Sequence, residues 1–496
     1  MAYWTIYAIL LMVSVAPVWM VTAPPLADYP NHLARMHILA SGAQSEFLGR
    51  FYAVSWSVIP NLAMDIIVPA LVNFMPLEIA GKVFVTLILA LLASGSLVLH
   101  YTIHKRFSPW PLLVFLFLYN GVFLFGMVNY LFGIGLCLWA IAAWIETRKY
   151  GHSARVVLFY TTCVILFFAH LSAMGVYVLS VIAYEASQIS RLRPLPGNLI
   201  RWLVLLIAGP LFLLAMLILL PRSTTNETLP FTYGPVAFAL SQKLGALELI
   251  VRNYVRVLDI ATLGAVIWLV LFGLLTQRLH VDRVMRWPAL AIAIAGFCLP
   301  YQVMGSNFAD ARILVAAAFL FVCTTDLRAK PAHLALFGLV IVALFSGRML
   351  ILGSHWQGAE ALHKQVSAAV VEIPRGARLL AVSVGNPDEP YEAPGPHIAA
   401  TAVIHREVFL PSVYAMPRGQ PLTFTEQYQA LARNAPKPDQ WSGDAFTWKQ
   451  VEQDYDFILL TGIDRLKVAP PDSLVTVVQE TGFRLYRTRR SFESGH

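Results

Sequence analysis

Long apolar runs separated by short polar turns fill the first two-thirds of the chain. They extend from Trp4 to Val21, Ile79 to Ile103, Trp110 to Phe125, Val128 to Ile145, Val156 to Phe168 and Ser172 to Ala186. Others cover Leu199 to Leu220, Leu258 to Thr276, Trp287 to Met304, Ile313 to Thr325 and His333 to Leu352. At 1.5 Å per helical residue these runs cross, or nearly cross, a hydrocarbon layer about 30 Å thick. The pattern predicts about eleven transmembrane helices in residues 1–352. The first run lacks a preceding basic segment and a small-x-small cleavage site, and Ala23-Pro24-Pro25 follows it, so it reads as a retained span.

Two regions depart from this pattern. In the loop of residues 23–78, the stretch Trp56 to Pro76 is apolar but interrupted by Pro60, Asp65, Pro69 and Pro76, which predicts an interfacial or re-entrant helix. From Gly353 onward the chain turns charged and proline-rich. Alternating segments at Arg378 to Val384, Asp456 to Leu460 and Leu474 to Val478 read as strands, beside helical stretches near His355 to Val371 and Thr425 to Arg433. Residues 353–496 are therefore expected to form a soluble α/β domain.

Composition fixes the class. Hydrophobic residues make up 58% of the 496 and charged residues only 13%, against roughly a quarter in soluble domains, so one globular core cannot hide the apolar surface. The chain reads as a polytopic α-helical membrane protein. All four cysteines, Cys137, Cys163, Cys298 and Cys323, lie in apolar runs, which disfavours a disulfide framework or a Cys-based zinc site. The net charge of +8 comes from short basic clusters between spans, a distribution that argues against a nucleic-acid partner. These clusters are Lys105-Arg106; Arg148-Lys149 with Arg155; Arg191, Arg193 and Arg201; Arg278, Arg283 and Arg286; and Arg328 with Lys330. With about eleven spans all five fall on one side, which the positive-inside rule makes cytoplasmic. The N-terminus then lies inside an inner (plasma) membrane, and loops 23–78, 221–257 and 305–312 lie outside with the C-terminal part.

The outer loops carry the candidate chemistry. Directly after the first span, Asp28-Tyr-Pro-Asn-His-Leu-Ala-Arg35 sets Asp28 before a helix starting near Pro30, with His32 and Arg35 on adjacent turns of one face. Two readings stay open: an acid, an imidazole and a guanidinium converging on a substrate, or Asp28 or Asn31 capping the helix while Arg35 meets lipid headgroups. Asp65 lies in the interfacial segment. Asp310 and Arg312 sit where two spans meet, as a phosphate site or as a local ion pair. Lys243, Arg252 and Arg256, with Arg222, add positive charge in the loop 221–257, where basic residues also greet lipid headgroups. His170 stands between two apolar runs, where a lone histidine is more often a satisfied interfacial residue than a ligand. No HExxH motif marks a metal site, although Asp28, Asp65 and Asp310 leave a shared divalent cation open. There is no P-loop, no GxGxxG after a strand and no GxSxG elbow, which disfavours a nucleotide-using cytosolic enzyme.

This layout resembles the GT-C superfamily of integral membrane glycosyltransferases. The likeness rests on the early acid Asp28 in a large outer loop, the Pro60 to Pro76 segment, the span Ile79 to Ile103 ending at Arg106, and loosely the Asp310-Ala-Arg312 turn. The phrase from Asp28 to Arg35 also looks like that of bacterial membrane proteins grouped with such transferases. The resemblance implies transfer of a sugar from a polyprenyl-phosphate donor to an extracytoplasmic glycan, lipid or protein acceptor. By position, Asp28 matches the family's loop acid, which acts as general base in many members and assists a metal in others. The doubled acid of many members is absent, since Tyr29 and Pro30 follow Asp28. A non-catalytic envelope polysaccharide assembly protein and a lipid-linked sugar transporter are the alternatives. A transporter is expected to carry ionisable residues at mid-membrane depth, whereas these cluster at the outer interface.

Overall fold

The computed structural model describes residues 2–42, 44–189, 211, 215, 231–232, 236–303, 306–384, 397–416, 419–436, 448–462 and 469–490. The predicted span Leu199 to Leu220 lies outside the described residues apart from Leu211 and Ala215, as do Arg191, Arg193, Arg201 and Arg222. Among the described residues four helices are long and apolar enough to cross a membrane: Leu77–His104, Val128–Lys149, Arg256–Leu275 and Pro331–Val370. The chain divides into two compact units. One comprises Met1–Ala16, Ile59–Ala63 and Val85–Leu352, the other Pro17–Val58, Met64–Phe84 and Gly353–His496.

Two helices differ from the pattern-based reading for local reasons. The apolar run from Trp110 is not one rod but a 3-10 turn, Trp110–Val114, and two short helices, Phe115–Leu118 and Gly121–Leu124. Buried Asn120 makes the break: its Oδ1 accepts from the Phe123 N–H at 3.0 Å, and its Nδ2 donates to the Phe117 carbonyl at 2.8 Å. One side chain thus ends one helix and caps the next. Conversely, Pro331–Val370 is a single helix of 40 residues through Gly353, where the sequence pattern separates a span from a soluble helix. Each of its four glycines costs the helix only about 1 kcal/mol, and no proline follows Pro331 within it.

In the larger unit, side chains rather than loops join neighbouring helices. Glu185 accepts from Trp144 Nε1 at 3.0 Å and Arg155 Nη2 at 2.6 Å, tying Val128–Glu146, His152–Ala169 and Leu171–Ile189 together. Buried Asp259 accepts from Arg348 Nη1 at 2.6 Å and from the Asn253 N–H at 2.7 Å. A two-stranded ladder pairs Leu279–Val281 antiparallel with Thr325–Leu327, Leu279 opposite Leu327.

The second unit is built around a four-stranded sheet in the order Leu379–Ser383, Phe457–Thr461, Phe483–Arg487, Val475–Gln479. The first pair is parallel and the others antiparallel, with Leu379 opposite Phe457 and Phe483 opposite Thr461. Phe457–Thr461 is buried at every position, as its apolar run requires of an inner strand, while the edge strand Val475–Gln479 is largely exposed. The early loop is stitched into this unit. Tyr52–Val54 pairs antiparallel with Leu422–Phe424, and the Tyr52 hydroxyl donates to the Val408 carbonyl at 3.1 Å while accepting from the Leu410 N–H at 3.0 Å. Rings of Phe51, Phe409 and Tyr428 close the core behind it at 4.9–5.8 Å. Helix Tyr29–Ser41 packs on Thr401–Arg406 and on the turn Ile398–Ala400. Its start is held against Gly81 of Leu77–His104, where a Cβ would lie 2.3 Å from the Tyr29 hydroxyl. Only glycine permits that approach.

Candidate functional site

Asp28 occupies the N-cap position of Tyr29–Ser41, with Pro30 in the first turn. Its backbone is already helical (φ −89°, ψ −10°), and its side chain makes no capping hydrogen bond. The carboxylate instead takes a proton donor from far along the chain: the Tyr414 hydroxyl donates to Oδ1 at 2.8 Å. The ring of His397 brings Nε2 to 3.5 Å of the same oxygen and 3.1 Å of the Tyr414 hydroxyl. All these groups belong to the second unit.

Asn31, fully buried one residue beyond Pro30, sets the protonation of this cluster. The Tyr414 N–H donates to Asn31 Oδ1 at 2.8 Å, which fixes the orientation of the amide. Its Nδ2 then donates to the Ser412 carbonyl at 2.6 Å and to His397 Nδ1 at 3.1 Å. An accepting Nδ1 leaves the neutral ring's proton on Nε2, facing Tyr414 and Asp28. Burial pushes the His397 imidazole below its ordinary value, opposed by the charge of Asp28. Burial and then Asp28 push the Tyr414 phenol up, so it stays a donor at neutral pH. Two neutral donors thus converge on one partly exposed carboxylate.

The residues expected beside Asp28 divide between two tasks. The His32 ring meets Tyr414 edge-on at 5.6 Å. Arg35 turns to Asp65 in a bidentate pair, Nε to Oδ1 at 2.7 Å and Nη2 to Oδ2 at 3.0 Å, both side chains being 1% exposed. Arg35 Nη1 is a buried donor without a hydrogen-bond partner among the described residues.

The remaining candidates lie in the larger unit. Asp310 is buried and pairs with Lys243 Nζ at 2.7 Å, not with Arg312. Arg312 sets its Nε 3.0 Å from Met127 Sδ, and its carbonyl accepts from the Tyr130 hydroxyl. The His170 ring stands edge-on to Tyr130 at 5.3 Å and accepts at Nδ1 from the Ser172 N–H at 3.1 Å. Burial first and Arg312 second hold His170 well below its ordinary value, so it is neutral there. Arg252 and Arg256 both pair with Glu248, Arg256 through Nε at 3.1 Å. The carboxylates of Asp28, Asp65 and Asp310 each have partners of their own. Among the described residues no group of three or more His, Cys, Asp or Glu side chains is placed to hold a metal ion.

Sequence reasoning reached Asp28 and the helix behind it but not His397, Tyr414 or Asn31. Asn31 was legible only as a candidate helix cap, whereas its amide bonds Tyr414, Ser412 and His397 instead. His397 and Tyr414 lie more than 360 residues away, and no spacing rule reaches that far.

No family model matches the sequence, and comparison with curated proteins finds no match. Its fold is similar to that of ArnT from Cupriavidus metallidurans, solved as a crystal structure bound to undecaprenyl phosphate. The two share 12% identity with a TM-score of 0.51 over 98% of each chain.

Proposed function

We propose that this chain is a membrane glycosyltransferase of the GT-C type, moving a sugar from a polyprenyl-phosphate donor to an extracytoplasmic acceptor. Two facts support the reading. The fold is similar, end to end, to that of a protein crystallised with undecaprenyl phosphate. The polar cluster also presents a carboxylate that the helix does not use as a cap. In the larger unit, contacts link four of the basic turns: Lys105 pairs with Glu146, Arg106 with Asp326, and the Arg328 N–H donates to the Arg278 carbonyl. Their proximity supports placing these turns on one side, which we read as cytoplasmic; about eleven spans and an extracytoplasmic α/β domain of residues 353–496 complete the proposal.

Asp28 is the observation that carries the reaction. As the acceptor hydroxyl attacks the anomeric carbon, its proton passes to Asp28, and the sugar–phosphate bond breaks with its electron pair leaving on the phosphate. Tyr414 orients the carboxylate by donating to it, and His397, hydrogen-bonded to the Tyr414 hydroxyl at 3.1 Å, holds that donor in place. Arg312, whose charge does not titrate, is assigned to the donor phosphate.

Asp28→Asn tests the assignment. Asparagine still accepts from Tyr414, and no cap is lost, so the fold is expected to hold. The transfer rate in membranes at matched expression is expected to fall by roughly two orders of magnitude or more. An undiminished product would remove Asp28 from the mechanism and favour a non-catalytic assembly protein.

A further inference from the structure

We infer that a groove in the larger unit is a binding site for one anionic glycerophospholipid, with an acyl chain in the groove and the headgroup at Arg278. The groove encloses about 360 Å³, at the lower end of the range of ligand pockets. Its walls are one face each of Arg256–Leu275 and Pro331–Val370, two helices apolar enough to cross a membrane, and Leu113 and Leu116 also line it. Small Ala265 lies on the first wall, and Trp268 stacks on Phe272 along it at 5.2 Å.

The two ends of the groove differ. The Arg328 N–H bonds the Arg278 carbonyl at one end and Arg348 bonds Asp259 at the other, so the helices run antiparallel, with Gly273 and Arg278 at the end marked by Ala329 and His333, and Ala265 toward Leu344. From His333 to Leu344 a helix rises about 16 Å, close to half of a hydrocarbon layer about 30 Å thick. The far end offers only hydrocarbon. The near end offers Arg278 and His333, with Arg328 and Lys330 flanking Ala329 in the chain. Arg328 reaches Asp326 at 3.9 Å, whereas Arg278, His333 and Lys330 have no side-chain partner among the described residues. A slot one leaflet deep with two unneutralised cations, Arg278 and Lys330, at or beside its mouth fits a lipid whose headgroup carries a phosphate and a net negative charge. A zwitterionic lipid offers the same chain without the net charge. A polyprenyl phosphate offers a phosphate, but on a branched chain several times longer than the groove.

The test uses the full-length protein, purified and stripped of lipid in detergent. Binding of dioleoyl phosphatidylglycerol, dioleoyl phosphatidylcholine and undecaprenyl phosphate is measured by native mass spectrometry, alone and in competition. One phosphatidylglycerol per chain is expected to resist displacement by equimolar amounts of either other lipid. Arg278→Gln is expected to weaken that binding about fivefold. Ala265→Trp, which fills the far end, is expected to abolish it. Arg286→Gln, on a basic residue outside the groove, is expected to leave it unchanged. Equal retention of phosphatidylcholine, or displacement by undecaprenyl phosphate, overturns the assignment in the unmodified protein and needs no variant to fold. Undiminished binding to Arg278→Gln or Ala265→Trp overturns the location.

Discussion

A neutral histidine fixed by an amide is a pH-sensitive part. His397 titrates below its ordinary value because it is buried, so below about pH 6.5 the unfolded chain takes up a proton that the folded one resists. The resulting stability is present above that pH and is lost as pH falls toward the folded value. Thermal unfolding of the purified protein is expected to weaken from pH 7 to pH 5, and less so in His397→Gln. Half-buried His37 is shifted in the same direction by its burial, which is why the difference between the two proteins is the readout. An identical pH dependence in both would show that His397 is not held neutral. In the other unit, Arg312→Lys keeps the charge but loses the planar fork. Donor binding is expected to fall while the melting temperature holds; unchanged binding would remove Arg312 from the phosphate site. Asp28 was legible because a carboxylate directly after an apolar span has few structural uses. Its partners were not, because a phenol and an imidazole in a proline-rich stretch look like any others until the chain is folded.

At the scale of elements, the Arg35–Asp65 pair joins helix Tyr29–Ser41 to Ala63–Val72. Both groups are buried, so removing one leaves an uncompensated charge. Asp65→Asn is expected to destabilise the fold by about 3–5 kcal/mol, read by thermal unfolding in detergent. A loss within about 0.5 kcal/mol would mean that the pair is not buried in the membrane-inserted protein. Helix starts and strands were largely legible: Tyr29–Ser41 begins one residue before the expected Pro30, and the strands Leu379–Ser383, Phe457–Thr461 and Val475–Gln479 match the alternating segments. The broken run from Trp110 was not, because an asparagine within an apolar stretch breaks a helix only when buried against both of its ends. The bidentate pairing was equally hidden: Arg35 read as a substrate or headgroup contact and Asp65 as part of the interfacial segment, 30 positions apart.

For the whole molecule, the compact units cut across the sequence, joining the loop after the first span to the residues beyond Gly353. Both parts of that unit are therefore expected on one side of the membrane, opposite Arg148 and Arg283. Single cysteines placed near Gly49 and Arg433 should react with an impermeant maleimide in intact cells, and a cysteine at Arg283 should not; the reverse pattern would invert the orientation. The fold similarity to a protein solved with undecaprenyl phosphate, together with an uncapped Asp28, makes sugar transfer the central claim. Its most direct measurement follows a labelled sugar supplied on polyprenyl phosphate to membranes with and without this chain. Label is expected to leave the lipid for a new product only where the chain is present, and the Asp28→Asn protein should slow that movement at least about a hundredfold. Label moving equally in membranes that lack the chain, or at an undiminished rate with Asp28→Asn, would contradict the account.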